Sequence, residues 1–202
     1  MKLVGENLTC ERGERVVFKG LDFSVDAGEL LVLKGPNGAG KTSLLRLIAG
    51  LIEPANGHIA LDGGQPDLSI GQQSHLVAHQ SAVKPSLTVR ENLSFWSDFL
   101  GGGDIEASLD AFALRPLADF SAALLSAGQL RRLTLSRLGL VPRVLWLLDE
   151  PTVGLDANST DSLRAAMQAQ LERGGMIIAT THVDLGMRKA RTFDFADLEA
   201  RT

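Results

Sequence analysis

The chain has no tyrosine and a single cysteine, Cys10, in 202 residues. One thiol excludes an internal disulfide and fits a reducing compartment. Long apolar runs are missing too: no segment approaches the roughly 18 uninterrupted apolar residues of a membrane-spanning helix. If the protein works at a membrane, it is expected to dock on something already embedded there. The opening stretch, MKLVGENLTCERGERVV, scatters its charges and does not resemble a secretory signal. Positive charge is not in excess either: 20 Lys and Arg against 24 Asp and Glu leave −4, which argues against nucleic acid as a partner. Internal repeats, low-complexity tracts and long linkers are absent. What remains is ordinary globular usage, 45% hydrophobic and 22% charged, enough for one domain with a buried core over residues 1–202.

Alternating apolar patches across residues 3–25 predict two or three strands joined by tight turns. ELLVLKG, VLWLLDE and MIIATTH are short continuous apolar runs, as expected of strands covered on both faces. GHIALDGG and SHLVAHQ read as further strands. From Thr42 onward, Leu44, Leu45, Leu47, Ile48 and Leu51 recur at helical spacing, and Gly50 with Pro54 marks the stop. TVRENLSFWSDFL and DIEASLDAFAL carry helical periodicity, separated by three glycines at residues 101–103. SAGQLRRLTLSRLGLV and DSLRAAMQAQLER are two more helices. The expected fold is α/β: a mainly parallel sheet core, an N-terminal antiparallel β subdomain and a small helical lobe at about residues 84–130, with ligands past the strand carboxyl ends.

Gly35-Pro36-Asn37-Gly38-Ala39-Gly40-Lys41-Thr42 matches G-x-x-x-x-G-K-[ST], and it follows a predicted strand and opens a predicted helix. Backbone N–H groups must wrap a phosphate chain there, and side chains at the glycines would hold it away. The helix start adds its unpaired N–H groups. Lys41 can reach β- and γ-phosphates, and the Thr42 hydroxyl can ligate Mg²⁺. A second element closes VLWLLDE: Asp149 can hold the metal through its water shell, and Glu150 can orient or deprotonate an attacking water. Together the two elements predict a P-loop NTPase that holds a nucleoside triphosphate with Mg²⁺.

Beyond these, LSAGQLRRL at residues 125–133 and LLDEPTVGLD at residues 147–156 resemble the nucleotide-binding subunits of ATP-binding cassette (ABC) transporters. The likeness runs over residues 3–187. It implies an ABC ATPase working as a head-to-tail, ATP-dependent homodimer on integral membrane subunits. Ser126, Ala127, Gly128 and Gln129 of one copy would then meet the γ-phosphate held by Lys41 of the other. The family usually has glycine where Ala127 stands, a change compatible with negative φ. By the same resemblance Gln80 touches metal and water, His182 contacts the γ-phosphate, and Asp156 communicates across the dimer. The family's usual aromatic adenine stacker has no counterpart. Aligning CERGERVVF by its glycine puts Arg12 at that position, where a guanidinium can stack on the base. Phe18, or no stacking side chain at all, are the alternatives.

LTCERGERVVFKGLDFSV, HQSAVKPSLTVRENL and ATTHVDLGM are similar, phrase by phrase, to the ATP-binding subunits of bacterial cytochrome c maturation (haem export) systems. That resemblance implies a peripheral subunit on the cytoplasmic face of the inner membrane, driving release of haem-loaded chaperone, with no haem ligand of its own. A nucleotide-gated regulatory module, a transporter subunit for another substrate, and a soluble ATPase acting on DNA or ribosomes are the competing functions. Among other residues, His75 and His79 in a strand would lie about 13 Å apart, too far for one metal ion. Trp146 is expected in the core, Trp96 in the core or on a docking surface, and Arg131 and Arg132 on a solvated helix face, with electrostatic steering of ATP as the alternative.

Overall fold

The computed structural model describes residues 1–13, 15–187 and 190–196. These divide into two compact units, one comprising the described residues of 1–78, 143–150 and 168–196, the other His79–Pro142 and Pro151–Met167.

In the first unit, β1 (Lys2–Arg12), β2 (Arg15–Asp26) and β4 (Asn56–Asp62) form an antiparallel sheet in the order β2-β1-β4. A parallel sheet takes β3 (Leu30–Lys34), β5 (Ser74–Val77), β6 (Leu145–Asp149), β7 (Met176–Thr180) and β8 (Ala190–Asp194) in the order β5-β6-β7-β3-β8. Every residue of β6 and β7 is buried, as are the first four of β3, so these strands have no polar alternation to read. The helix α1 (Lys41–Ile48) turns Leu44, Leu45, Leu47 and Ile48 into the core, where they join Leu31, Leu33, Leu145, Ile178 and Phe195. Trp146 is core, 2% exposed. Cys10 is buried filler at the end of β1, and burial pushes its thiol pKa up.

The second unit is built on α2 (Val89–Leu100), α3 (Ile105–Ala111) and α4 (Ala127–Ser136), and it contains the first part of α5 (Ala157–Glu172). Its helices start where the sequence supplies caps. Thr88 and Glu91 form a capping box on α2, Asp104 accepts the Ala107 N–H at α3, and Ser126 and Gln129 form a second box on α4. Arg137, just past α4, lies 4.6 Å over the Trp96 ring, and burial beside the charge of Arg131 pulls its pKa down to about 10.

Candidate functional site

The loop between β3 and α1 carries the predicted phosphate contacts. Gly40 caps α1 at φ +103, and a Cβ there would lie 2.8 Å from both Val17 and Phe18, so the helix start demands glycine on two grounds. The Lys41 Nζ donates to the carbonyls of Gly35 at 2.7 Å and Pro36 at 2.8 Å. Two of its three donors hold it against the loop, leaving one for an anion. Pro36, Asn37 and Gly38 are exposed, whereas Ala39 is half-buried. The first N–H groups of α1 have no intrahelical partner and face outward from the helix start.

The carboxyl ends of β6 and β7 bring the charged residues together. Thr42 Oγ1 donates to Asp149 Oδ2 at 2.9 Å, and Thr180 Oγ1 donates to Asp149 Oδ1 at 2.7 Å. With its hydrogen committed to Asp149, Thr42 keeps oxygen lone pairs for a hard cation, and the oxygen-only donor set of Thr42 and Asp149 suits Mg²⁺. Glu150 follows at φ +47, in the left-handed region, its N–H shared between the Thr180 carbonyl at 3.1 Å and hydroxyl at 2.9 Å. Its carboxylate Oε1 stands 3.5 Å from Nε2 of the exposed His182. Lys41, Thr42, Asp149, Glu150 and His182 thus belong to one unit. That arrangement can hold a triphosphate, a divalent cation and a polarised water.

The tip of the β1–β2 hairpin places Arg12 opposite Arg15, both exposed. Phe18 is 6% exposed and packs edge-on against Phe195, with ring centroids 5.9 Å apart. Its ring is spent in the core and presents no face to a base, which removes it as the alternative stacker.

The remaining predicted residues lie in the second unit. Ser126 Oγ accepts the Gln129 N–H at 3.3 Å, and Gln129 Oε1 accepts the Ser126 N–H at 2.8 Å. Ala127 is the first residue of α4 and is absent from the positive-φ positions, so its methyl is tolerated. A Cβ on Gly128 would lie 3.0 Å from the Gly154 carbonyl, which accounts for the glycine. Gln80 is exposed in the irregular segment three residues after β5. Asp156 precedes α5 and accepts the Ser159 N–H at 2.7 Å; the Ser159 hydrogen bonds hold its carboxyl below the usual range.

Arg131 and Arg132 do not form a solvated face. Arg131 is 6% exposed and its Nε donates to the Pro151 carbonyl at 3.3 Å, while Arg132 donates to the carbonyls of Phe112 and Ala113. Sequence reasoning also missed Asn92, 3% exposed, whose side chain ties the Lys84 N–H and carbonyl and the Thr88 carbonyl to α2. The S-x-x-Q spacing of the Ser126 box was readable; nothing in the local pattern marks Asn92.

The family model for ABC transporters matches residues 18–153. The "Cytochrome c biogenesis ATP-binding export protein CcmA" of Nitrobacter winogradskyi is 52% identical over 189 residues, covering 93% of this chain and 94% of that protein. The protein of the same name from Bradyrhizobium diazoefficiens is 53% identical, with the same coverage. Among solved structures, an ATP-binding subunit of an ABC transporter superposes with a TM-score of 0.84 at 24% identity, covering 96% of this chain and 87% of that one. A dimeric ATP-binding cassette in a post-hydrolysis state, bound to ADP and Pi, gives 0.78 at 24%, covering 90% and 88%. None of the described helices is long and apolar enough to cross a membrane. The phosphate loop, the paired carboxylates and these matches place the chain in the ABC transporter family, as an ATP-hydrolysing, ATP-binding subunit of the CcmA type.

Proposed function

We propose that this subunit drives a membrane complex of cytochrome c biogenesis, using ATP binding and hydrolysis to release a haem-loaded chaperone on the far side. The relatives named for that process, alike over nearly their whole length, support the assignment. The observation that carries the energy step is the joining of Thr42, Asp149, Glu150 and His182 beside Lys41.

Within that reading the loop at residues 35–42 wraps the phosphates, Lys41 neutralises the β- and γ-phosphate charge, and Arg12 stacks on adenine. Thr42 and Gln80, with Asp149 through water, would hold Mg²⁺, which would supply neutralisation of the phosphate oxygens when bound. Glu150 accepts a proton from the attacking water and His182 contacts the γ-phosphate. Hydrolysis is then mainly positioning and electrostatics.

Ser126, Ala127, Gly128 and Gln129 face the partner copy's γ-phosphate in an ATP-dependent homodimer. The Ser126 hydroxyl, used in the box only as an acceptor, keeps its hydrogen for that oxygen. Asp156 carries the state of one site to the other. Docking on integral membrane subunits at the cytoplasmic face is supported by α2, where Phe95 and Phe99 are 58% and 72% exposed and stack with centroids 6.4 Å apart. An exposed aromatic pair suits an apolar partner surface. No haem ligand is assigned to this chain, and nucleic acid has no part.

Complementation tests the proposal. In a strain lacking the chain, the wild type restores covalently haem-stained c-type cytochromes and Glu150→Gln does not. Full restoration by Glu150→Gln, or undiminished c-type cytochromes in the deletion strain, contradicts it.

A further inference from the structure

Thr180 is the only polar residue of β7, and its strand, MIIAT, is otherwise aliphatic and buried throughout. The side chain is 0% exposed. A buried strand position favours a β-branched residue, and valine would fill the same volume without a hydroxyl to satisfy. The hydroxyl is satisfied, and by a particular pair of groups.

Parallel register sets Asp149 beside Thr180 at the strand ends, with Leu33 of β3 on the other side. A carboxylate only accepts and a backbone amide only donates, so the direction of each bond is forced. The one hydroxyl hydrogen goes to Asp149 Oδ1 at 2.7 Å, and the oxygen receives the Glu150 N–H at 2.9 Å. Thr42 holds the other carboxylate oxygen.

The second bond matters because of the backbone it holds. Pro151 disfavours the right-handed helical region at the residue before it, and Glu150 occupies φ +47, a conformation that L-residues rarely take. It persists where surrounding bonds over-determine it. Here the Glu150 N–H is gripped by both oxygens of Thr180, and the carboxylate emerging from that turn faces His182 at 3.5 Å.

We propose that Thr180 is a positioning residue of the ATPase site: its single hydroxyl locks the metal-side carboxylate of Asp149 and the base-side backbone of Glu150 to one another. It touches neither nucleotide nor water and acts through the two acids. This rests on the proposed roles of Asp149 and Glu150.

The test uses the full chain purified with its membrane subunits, comparing wild type, Thr180→Val, Thr180→Ser and Glu150→Gln. Fluorescent nucleotide binding, with and without Mg²⁺, is measured beside steady-state hydrolysis. Thr180→Val lowers kcat by about tenfold or more, as expected when a supporting hydrogen bond of a catalytic group is lost. Its nucleotide affinity and KM stay within about threefold of wild type, because the phosphate loop is untouched. Thr180→Ser, which keeps the hydroxyl, recovers most of the rate. If Thr180→Val does not fold, Thr180→Ala is judged by the same measurements.

Thr180→Val at wild-type rate with an inactive Glu150→Gln overturns the proposal and leaves the site reading standing. Equal loss in Thr180→Val and Thr180→Ser, or a loss carried by KM, assigns the position to packing and also overturns it. A fully active Glu150→Gln removes the site reading itself.

Discussion

Lys41→Met replaces a cation by an apolar chain of similar length at a place where the cation is nearly sealed. Lys41 is 8% exposed, and its ammonium donates to two neutral carbonyls, at 2.7 and 2.8 Å. Without an anion, the desolvation of that charge is offset by those bonds alone. The substitution is therefore expected to leave the melting temperature of the nucleotide-free protein unchanged or slightly raised. The loss appears when nucleotide is added. A charge-assisted bond to phosphate contributes about 1.5–3 kcal/mol; taking about 2 gives roughly 30-fold weaker binding. With nucleotide at about 100 times the wild-type Kd, the wild type gains about 2.7 kcal/mol and the variant only about 0.9. At about 2–4 °C per kcal/mol for a chain of this size, that is a rise of roughly 5–11 °C against roughly 2–4 °C. Differential scanning calorimetry with and without a magnesium-loaded, non-hydrolysable ATP analogue reads both quantities. A variant that keeps the full ligand-induced rise, or that loses more than about 2 kcal/mol without ligand, refutes the reasoning.

Three other substitutions probe the rest of the site. Arg12→Ala should weaken ATP binding by about 2- to 30-fold, the range of a cation–π contact, while tripolyphosphate affinity stays the same; equal losses for both would remove Arg12 from the base. Gly128→Val places a branched side chain where even a Cβ lies 3.0 Å from the Gly154 carbonyl, so ATP binding should persist while the ATP-dependent dimer disappears from light scattering. A dimer of wild-type strength would contradict the assignment of that helix start. Asp156 has its folded pKa lowered by the Ser159 bonds, so its contribution is present above the unfolded value of about 4 and is lost as pH falls through the folded value. Chemical denaturation should show Asp156→Ala less stable than wild type at neutral pH, with the gap closing below about pH 4; a gap constant into acid would exclude the charge as its cause.

The parts of this protein legible in its sequence are those written locally. Continuous apolar runs gave β3, β6 and β7, and the glycine-lysine spacing gave the loop, because a phosphate cradle and a doubly covered strand each impose a contiguous pattern. Asp149 and Glu150 were legible as the end of such a run. What escaped was set by register between distant segments. Thr180 looks like any strand-ending threonine until parallel pairing puts it beside Asp149, 31 positions away in the chain. Arg131 looked solvated because its carbonyl partner, Pro151, lies 20 residues on. The strand β8, with its first three residues exposed, carries too weak a pattern to stand out and was not anticipated. Helix α5 begins at Ala157, earlier than apolar periodicity indicates, because Asp156 caps it through Ser159.

The most direct test of the whole account is single-turnover hydrolysis by Glu150→Gln at saturating magnesium-ATP, with bound nucleotide measured in the same samples. The account predicts a rate at least about 100-fold below wild type, the scale of a lost general base, with ATP affinity within about threefold. A rate within about twofold of wild type would place the water-activating group elsewhere and contradict the account at its centre.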